Sequence, residues 1–398
     1  MSRVPQKTWV RVVWRDMPGG VSPDPPSTSE AGVPVGRSRS RKLVVVLLLL
    51  VLVLGVGAVG ATFAVGTRTV NELLDHRALS AMAGVALRRP IGGASQPLPY
   101  TNAAELEALT RPRDPKLVVE REPMRRFRMD DAGLTQEVIT FPSAIRLDHA
   151  ESNTARAYVY RRGRLGERPV VVWVPGQYVI DLALIPISWF TREIVRRGAD
   201  VVLVVPPYHL ERTPLGFSSG DAVFATSLAD HLGVFAQELS DLRRLVAWLR
   251  SQGVETVGGF GGSVGAMLLL RIVTWESLDF LTVFIPMIRL ADVIEGPDTE
   301  PMRQRLREDG RSVDEMKRLY AALDPGLGQP QMSAARISVL YGRYDLVAPA
   351  PTTEAWARTW GITRLHPYDR GHALALFNRR MYKDYARLLD EDLRVLDR

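Results

Sequence analysis

An α/β fold, with a mostly parallel central sheet flanked by helices, is predicted by three features of this 398-residue chain. Residues 170–174 and 201–205 are unbroken apolar runs dominated by valine. Unbroken runs describe strands covered on both faces, which is the situation of a parallel sheet. Helix-compatible stretches such as residues 230–250 lie between and after these runs, so strand and helix alternate. The third feature is Gly261-Gly262-Ser263-Val264-Gly265, set between a strand-like run at 254–260 and a helix-like run at 266–273.

The elements before the core come first. Residues 17–40 are rich in Pro, Gly and Ser and poor in large apolar groups, so the 1–42 segment is expected to be a disordered basic tail. Residues 43–67 carry no charge, and the first twelve are Leu and Val throughout. As a helix rising 1.5 Å per residue, that stretch reaches roughly 37 Å, enough to span a hydrocarbon core of about 30 Å. Arg37, Arg39, Arg41 and Lys42 crowd its N-terminal side, with only Arg68 close to the other end. The positive-inside rule then predicts a single-pass signal anchor with the N-terminus cytoplasmic and the rest of the chain extracytoplasmic. A cleaved signal peptide, cut near Val59-Gly60-Ala61, is the alternative. Residues 68–135 are expected to form a stalk and lead-in, with one helix near 70–87.

The catalytic domain is expected over 136–398. Residues 137–141 and 155–160 alternate as half-buried strands do. A charged, helix-compatible insertion at 289–332 precedes the next strand, 337–341, and is a candidate cap. The apolar stretch 182–190 is either core or the lining of an acyl pocket.

Composition narrows the chemistry. The net charge is +7, but the tail accounts for +5 and the remainder for +2. A nucleic-acid groove needs its cationic excess on the folded part, so no nucleic-acid partner is expected. With no cysteine, a disulfide scaffold, a catalytic thiolate and a cysteine metal site are all excluded. No two of the six histidines share the i, i+4 spacing of a helical zinc site, and neither metal nor cofactor is expected.

A serine on a sharp strand-to-helix turn needs small neighbours two positions to each side, and Gly261 and Gly265 meet that need. A serine hydroxyl is a poor nucleophile at neutral pH and requires a base. His372, after the last expected strand, is the candidate base for Ser263. Asp345, just past the 337–341 strand, is the candidate acid that orients the imidazole; Asp369 is its rival. His366 falls within a strand and is read as packing or facing solvent. Tyr208 and Arg212 follow the 201–205 strand, so they are candidates for substrate contact, weighed equally against a structural ion pair.

The order Ser263, Asp345, His372 resembles that of the α/β-hydrolase superfamily over roughly residues 136–395. The resemblance implies an oxyanion hole made by the backbone N–H of Val264 and of a residue in the turn after 170–174. That turn reads Pro175-Gly176-Gln177, where many family members have His-Gly. Proline has no N–H, so Gln177 is the expected donor, with Gly176 second. The implied activity is a membrane-anchored, esterase- or lipase-like serine hydrolase acting on an acyl ester or lipid-like substrate. Acyl transfer or peptidase action by the same residues, and a non-catalytic scaffold, are the alternatives. A dinucleotide-dependent oxidoreductase fits poorly, because the glycines are not spaced G-x-G-x-x-G and no acid ends the next strand.

Overall fold

A computed structural model describes residues 67–88, 97–113, 117–178, 184–375 and 377–396. The expected tail and residues 43–66 of the expected membrane span lie outside the described residues. No described helix is long and apolar enough to cross a membrane.

In chain order the principal elements are α1 (Thr67–Ala86), α2 (Ala103–Thr110), β1 (Glu120–Pro123), β2 (Thr135–Pro142), β3 (Thr154–Arg161) and β4 (Val170–Val174). Then come α3 (Leu184–Arg196), β5 (Asp200–Val205), α4 (Leu228–Ser251), β6 (Val257–Gly262), α5 (Ser263–Ile272) and β7 (Phe280–Phe284). The chain continues through α6 (Glu300–Glu308), α7 (Val313–Ala321), β8 (Ile337–Gly342), α8 (Ala350–Thr359), β9 (Arg364–Tyr368) and α9 (Arg379–Leu396).

Among the described residues the strands form one sheet in the order β1-β2-β3-β5-β4-β6-β7-β8-β9. The pairs from β1 to β5 are antiparallel, and those from β5 through β4 to β9 are parallel. β4 is flanked by β5 on one side and β6 on the other, so successive connections leave it in opposite directions. A crevice opens at the carboxyl ends of strands where the order reverses in this way.

The two sheet faces follow from the alternation of side chains along each strand. In β4, Val170, Val172 and Val174 join the core that holds Leu232, Phe235 and Leu239 of α4. Val171 and Trp173 face the other way, into a core with Phe190 of α3 and Tyr385 and Leu389 of α9. Every residue of β4 and β5 is buried, which is why residues 170–174 and 201–205 show no polar position in sequence. Phe190 packs in this second core against Trp173 and Phe260, so it does not line an acyl pocket. α4 starts earlier than its apolar pattern, because the Ser227 side chain caps it by accepting from the Asp230 N–H.

The segment expected to be a stalk is instead built into the domain. β1 extends the sheet at its antiparallel edge. Leu106 of α2 is fully buried, and Arg243 of α4 donates to Thr110 Oγ1 at 3.0 Å. α1 buries Val70, Asn71, Asp75, Leu79 and Ala83, so polar and apolar side chains share its inner face. Between β7 and β8, where a cap was expected, the chain forms α6 and α7. α1 also reaches this insertion, with His76 and Ser80 both bound to Asp298.

Candidate active site

β6 and β4 pair in parallel with Val174 opposite Gly261, which sets the turn after β4 beside the turn after β6. Ser263 occupies the latter turn with φ of +51°, in the left-handed region that non-glycine residues rarely adopt. The surroundings make that strain unavoidable. A Cβ on Gly261 would stand 2.8 Å from Ala266 Cα, and one on Gly265 would run into the carbonyls of Val174 and Pro175. Strand, turn and helix are thus packed backbone to backbone around the serine.

His372 lies beside it, with Nε2 2.9 Å from Ser263 Oγ. On the far side of the ring, His372 Nδ1 is 2.8 Å from Asp345 Oδ2. The second oxygen of Asp345 accepts from the N–H groups of Val347 and Ala348, at 2.9 and 2.6 Å, so the carboxylate has a fixed orientation. With the ring proton on Nδ1 and donated to Asp345, Nε2 is free to accept from the serine hydroxyl. Burial by itself would lower the His372 pKa, but the charge and hydrogen bond of Asp345, with the charge of Asp75, outweigh it and leave the pKa raised.

The histidine and acid loops are zipped together. Arg343 N donates to Tyr368 O at 2.8 Å and Tyr344 N to Arg370 O at 3.1 Å. Gly342 permits the approach, since a Cβ there would collide with the Arg370 carbonyl. Asp369, the rival acid, turns outward and pairs with Arg343 at the exposed surface, 2.8 Å away. The structure therefore brings Ser263, Asp345 and His372 together and leaves Asp369 apart.

Val264 is the second residue of α5, so its N–H has no partner within the helix and lies at the positive end of the helix dipole. The facing turn holds Gln177, and it is fixed from behind. Tyr178 N donates to His209 Nε2 at 3.2 Å, while His209 Nδ1 lies 2.8 Å from Pro207 O. Burial pushes the His209 pKa down to about 4, so its imidazole is neutral at pH 7, with Nδ1–H donating and Nε2 accepting. Sequence reasoning passed over His209; its only signal is its position in a loop at the carboxyl edge of the sheet.

Tyr208 and Arg212, for which the sequence weighs substrate contact and a structural ion pair equally, are both buried away from solvent. The Tyr208 hydroxyl donates to Asp230, and its N–H donates to Ser152 Oγ at 3.0 Å. Arg212 donates to Val205 O, Ser152 O and Gln237 Oε1 at 2.9, 2.7 and 2.7 Å and pairs with Asp241 at 3.2 Å. The loop doubles back through positive φ at Tyr208 and Leu210, which turns these side chains into the core. Arg212 is thus the buried half of an ion pair. Among the described residues no cluster of His, Asp and Glu is arranged to hold a metal ion.

Solved structures share this architecture. The acetyl xylan esterase of Paenibacillus sp. R4 aligns with a TM-score of 0.50 and 15% identity, covering 78% of this chain and 98% of its own. Acetyl xylan esterase 1 of Thermoanaerobacterium sp. JW/SL YS485 aligns with a TM-score of 0.50 and 18% identity, covering 77% and 97%. The chain has the fold of these esterases. At such identities the likeness is one of fold, and the chemistry rests on the residues of this chain. No family model matches the sequence, and no curated protein matches it.

Proposed function

We propose that the chain is a serine hydrolase of the α/β class that cleaves carboxylic esters through an acyl-enzyme. The observation that carries this reading is the unbroken hydrogen-bond chain from Ser263 Oγ through His372 to Asp345, at a serine held in left-handed backbone. In the first step His372 Nε2 takes the hydroxyl proton as Ser263 Oγ bonds to the ester carbonyl carbon. The carbonyl oxygen gains the negative charge, and the N–H groups of Val264 and Gln177 are the donors that meet it. Collapse breaks the ester C–O bond, and the leaving alkoxide takes the proton from His372. Water then repeats the cycle on the acyl-serine, returning the hydroxyl to Ser263 and releasing the acid.

The acyl class is supported by the fold neighbours, which are named for acetyl ester cleavage. Residues 43–67 are assigned as a membrane anchor on their uncharged apolar sequence, with the tail cytoplasmic and the hydrolase domain extracytoplasmic. An anchor there would hold the active site near lipids, which supports an acyl ester or lipid-like substrate. Fusions of a cytoplasm-active and an export-active reporter at each end test the orientation; an export-active N-terminus overturns it.

Activity is tested by fluorophosphonate labelling of the full chain in detergent, beside Ser263→Ala and His372→Ala. Label confined to the parent and mapped to Ser263, with turnover of p-nitrophenyl acetate, is the expected result. A folded parent that takes no label overturns the hydrolase reading.

A further inference from the structure

The buried polar side of α1 faces the histidine and acid loops. Asp75 is fully buried, and its Oδ2 accepts from Leu346 N at 3.0 Å and from His372 N at 2.8 Å, while Oδ1 accepts from Ala373 N at 2.9 Å. One turn earlier, Asn71 Oδ1 accepts from Gly371 N at 2.6 Å, and the Asn71 amide is itself held by Thr67 O at 2.6 Å. Leu346 follows the acid Asp345, and Gly371, His372 and Ala373 are the histidine loop. A Cβ on Gly371 would sit 2.8 Å from Asp75 Oδ2, so this loop lies directly on the helix. Two side chains thus satisfy four backbone N–H groups from two loops that meet at the base.

A neutral hydrogen-bonding residue would serve if the contact were packing alone. Here the group is a carboxylate, and burying one without a cation is costly. Arg68 and Glu72 of the same helix pair with one another at 2.7 Å, and His76 pairs with Asp298 of the insertion. The ionisable groups facing Asp75 from the packed loops are Asp345 and His372. Its charge therefore has a partner when His372 holds a proton, which is the state reached while Ser263 attacks.

We propose that Asp75 is a positioning residue of the active site: it fixes the acid and histidine loops in one register and sets a second carboxylate beside the imidazolium. This deepens the hydrolase reading and rests on it. The raised His372 pKa agrees, since Asp75 is among the groups that raise it. The Asp75 pKa is itself raised, by burial and then by Asp345, with His372 and the loop N–H groups opposing.

The test uses the full chain in detergent with Asp75→Asn, and Asn71→Ala as a second variant that removes an acceptor but no charge. His372 is followed by NMR titration of its imidazole, assigned by loss of its signal in His372→Gln, so the readout does not need turnover. In Asp75→Asn the imidazole pKa is expected to fall by about half a unit or more. The kcat for p-nitrophenyl acetate is expected to fall about tenfold or more at unchanged KM, because loop register is lost. In Asn71→Ala, kcat falls and the imidazole pKa stays. An unmoved His372 titration in a folded Asp75→Asn overturns the proposal, whether or not the parent is active. If Asp75→Asn does not fold, unchanged kcat in Asn71→Ala overturns the register half. A parent that takes no label while the titration shifts as expected sinks the hydrolase reading and leaves the placement of Asp75 standing.

Discussion

Gly265→Ala probes the contact on which the proposed oxyanion site depends. Gly265 is the third residue of α5, and a Cβ built there lies 2.5 Å from Pro175 O and closer still to Val174 O. Cβ atoms essentially never approach a heavy atom within 3.0 Å, so α5 and the turn after β4 must separate by at least half an ångström. Ordinary contact distances bring the required movement to about 1 Å. Neither partner yields easily. The carbonyls belong to the end of a buried central strand, and α5 is buried along its length. Overpacking of this kind costs about 1–3 kcal/mol of stability. The movement also pulls the Val264 N–H away from Gln177, and misplacement by about 1 Å costs on the order of 100-fold in rate. Fluorophosphonate labelling rate, kcat for p-nitrophenyl acetate and urea unfolding are measured together, with Gly84→Ala as control. Gly84 lies in α1 with nothing within 4 Å of its Cβ position, so the control should be neutral or slightly stabilised. A Gly265→Ala protein labelled at the parental rate with an unchanged midpoint would refute the packing argument and the oxyanion geometry drawn from it.

Other consequences are equally direct. Arg212→Ala leaves Asp241 buried without its cation, so it should cost about 3–5 kcal/mol in urea unfolding while leaving KM unchanged in whatever remains folded; a KM effect without a stability loss would return Arg212 to the substrate site. Asp345→Asn should lower kcat by about 10⁴ through the wrong imidazole tautomer, and Asp369→Asn should lie within about twofold of the parent; kinetics on the two variants check the assignment of the acid. Burial, with the charge of Asp241 and against that of Arg212, pushes the Glu238 carboxyl up to about 8. The native state then keeps a proton that the unfolded chain has released, so stability falls as pH rises from the ordinary carboxylate range to about 8, by at most about 1.4 kcal/mol per unit. Glu238→Gln should flatten this fall in melts at pH 5 and pH 8, and an undiminished slope in the variant would mean that Glu238 is ionised in the native state.

The sheet was legible because its signals are local. Five consecutive buried residues in β4 leave an apolar run that no exposed strand would show, and the elbow announces itself through glycines at fixed offsets from Ser263. The acid and histidine could be placed because both directly follow strands, which puts them at one edge. Where the reading departed from the structure, the polar residues were buried. Asn71 and Asp75 look like the wet side of a stalk helix, because periodicity treats a polar residue as exposed. Their i, i+4 spacing on the inner face has meaning only once the loops that supply N–H groups are in place. For Arg212 the sequence leaves two readings level, because its position after a strand points to the crevice while two left-handed residues, invisible to pattern, turn it inward to its ion pair with Asp241.

The placement of α1 also decides where this chain can be cut. A protease acting before Thr67 would free the hydrolase domain from whatever lies upstream, with the helix still seated on the histidine loop. One acting beyond Ala86 would sever α1 from the rest of the domain, leaving it held only by contacts such as Asn71 to Gly371 and Asp75 to His372. Separation from the upstream residues and disarming are then two outcomes of the same kind of cleavage, separated by about 20 residues, or some 30 Å of helix.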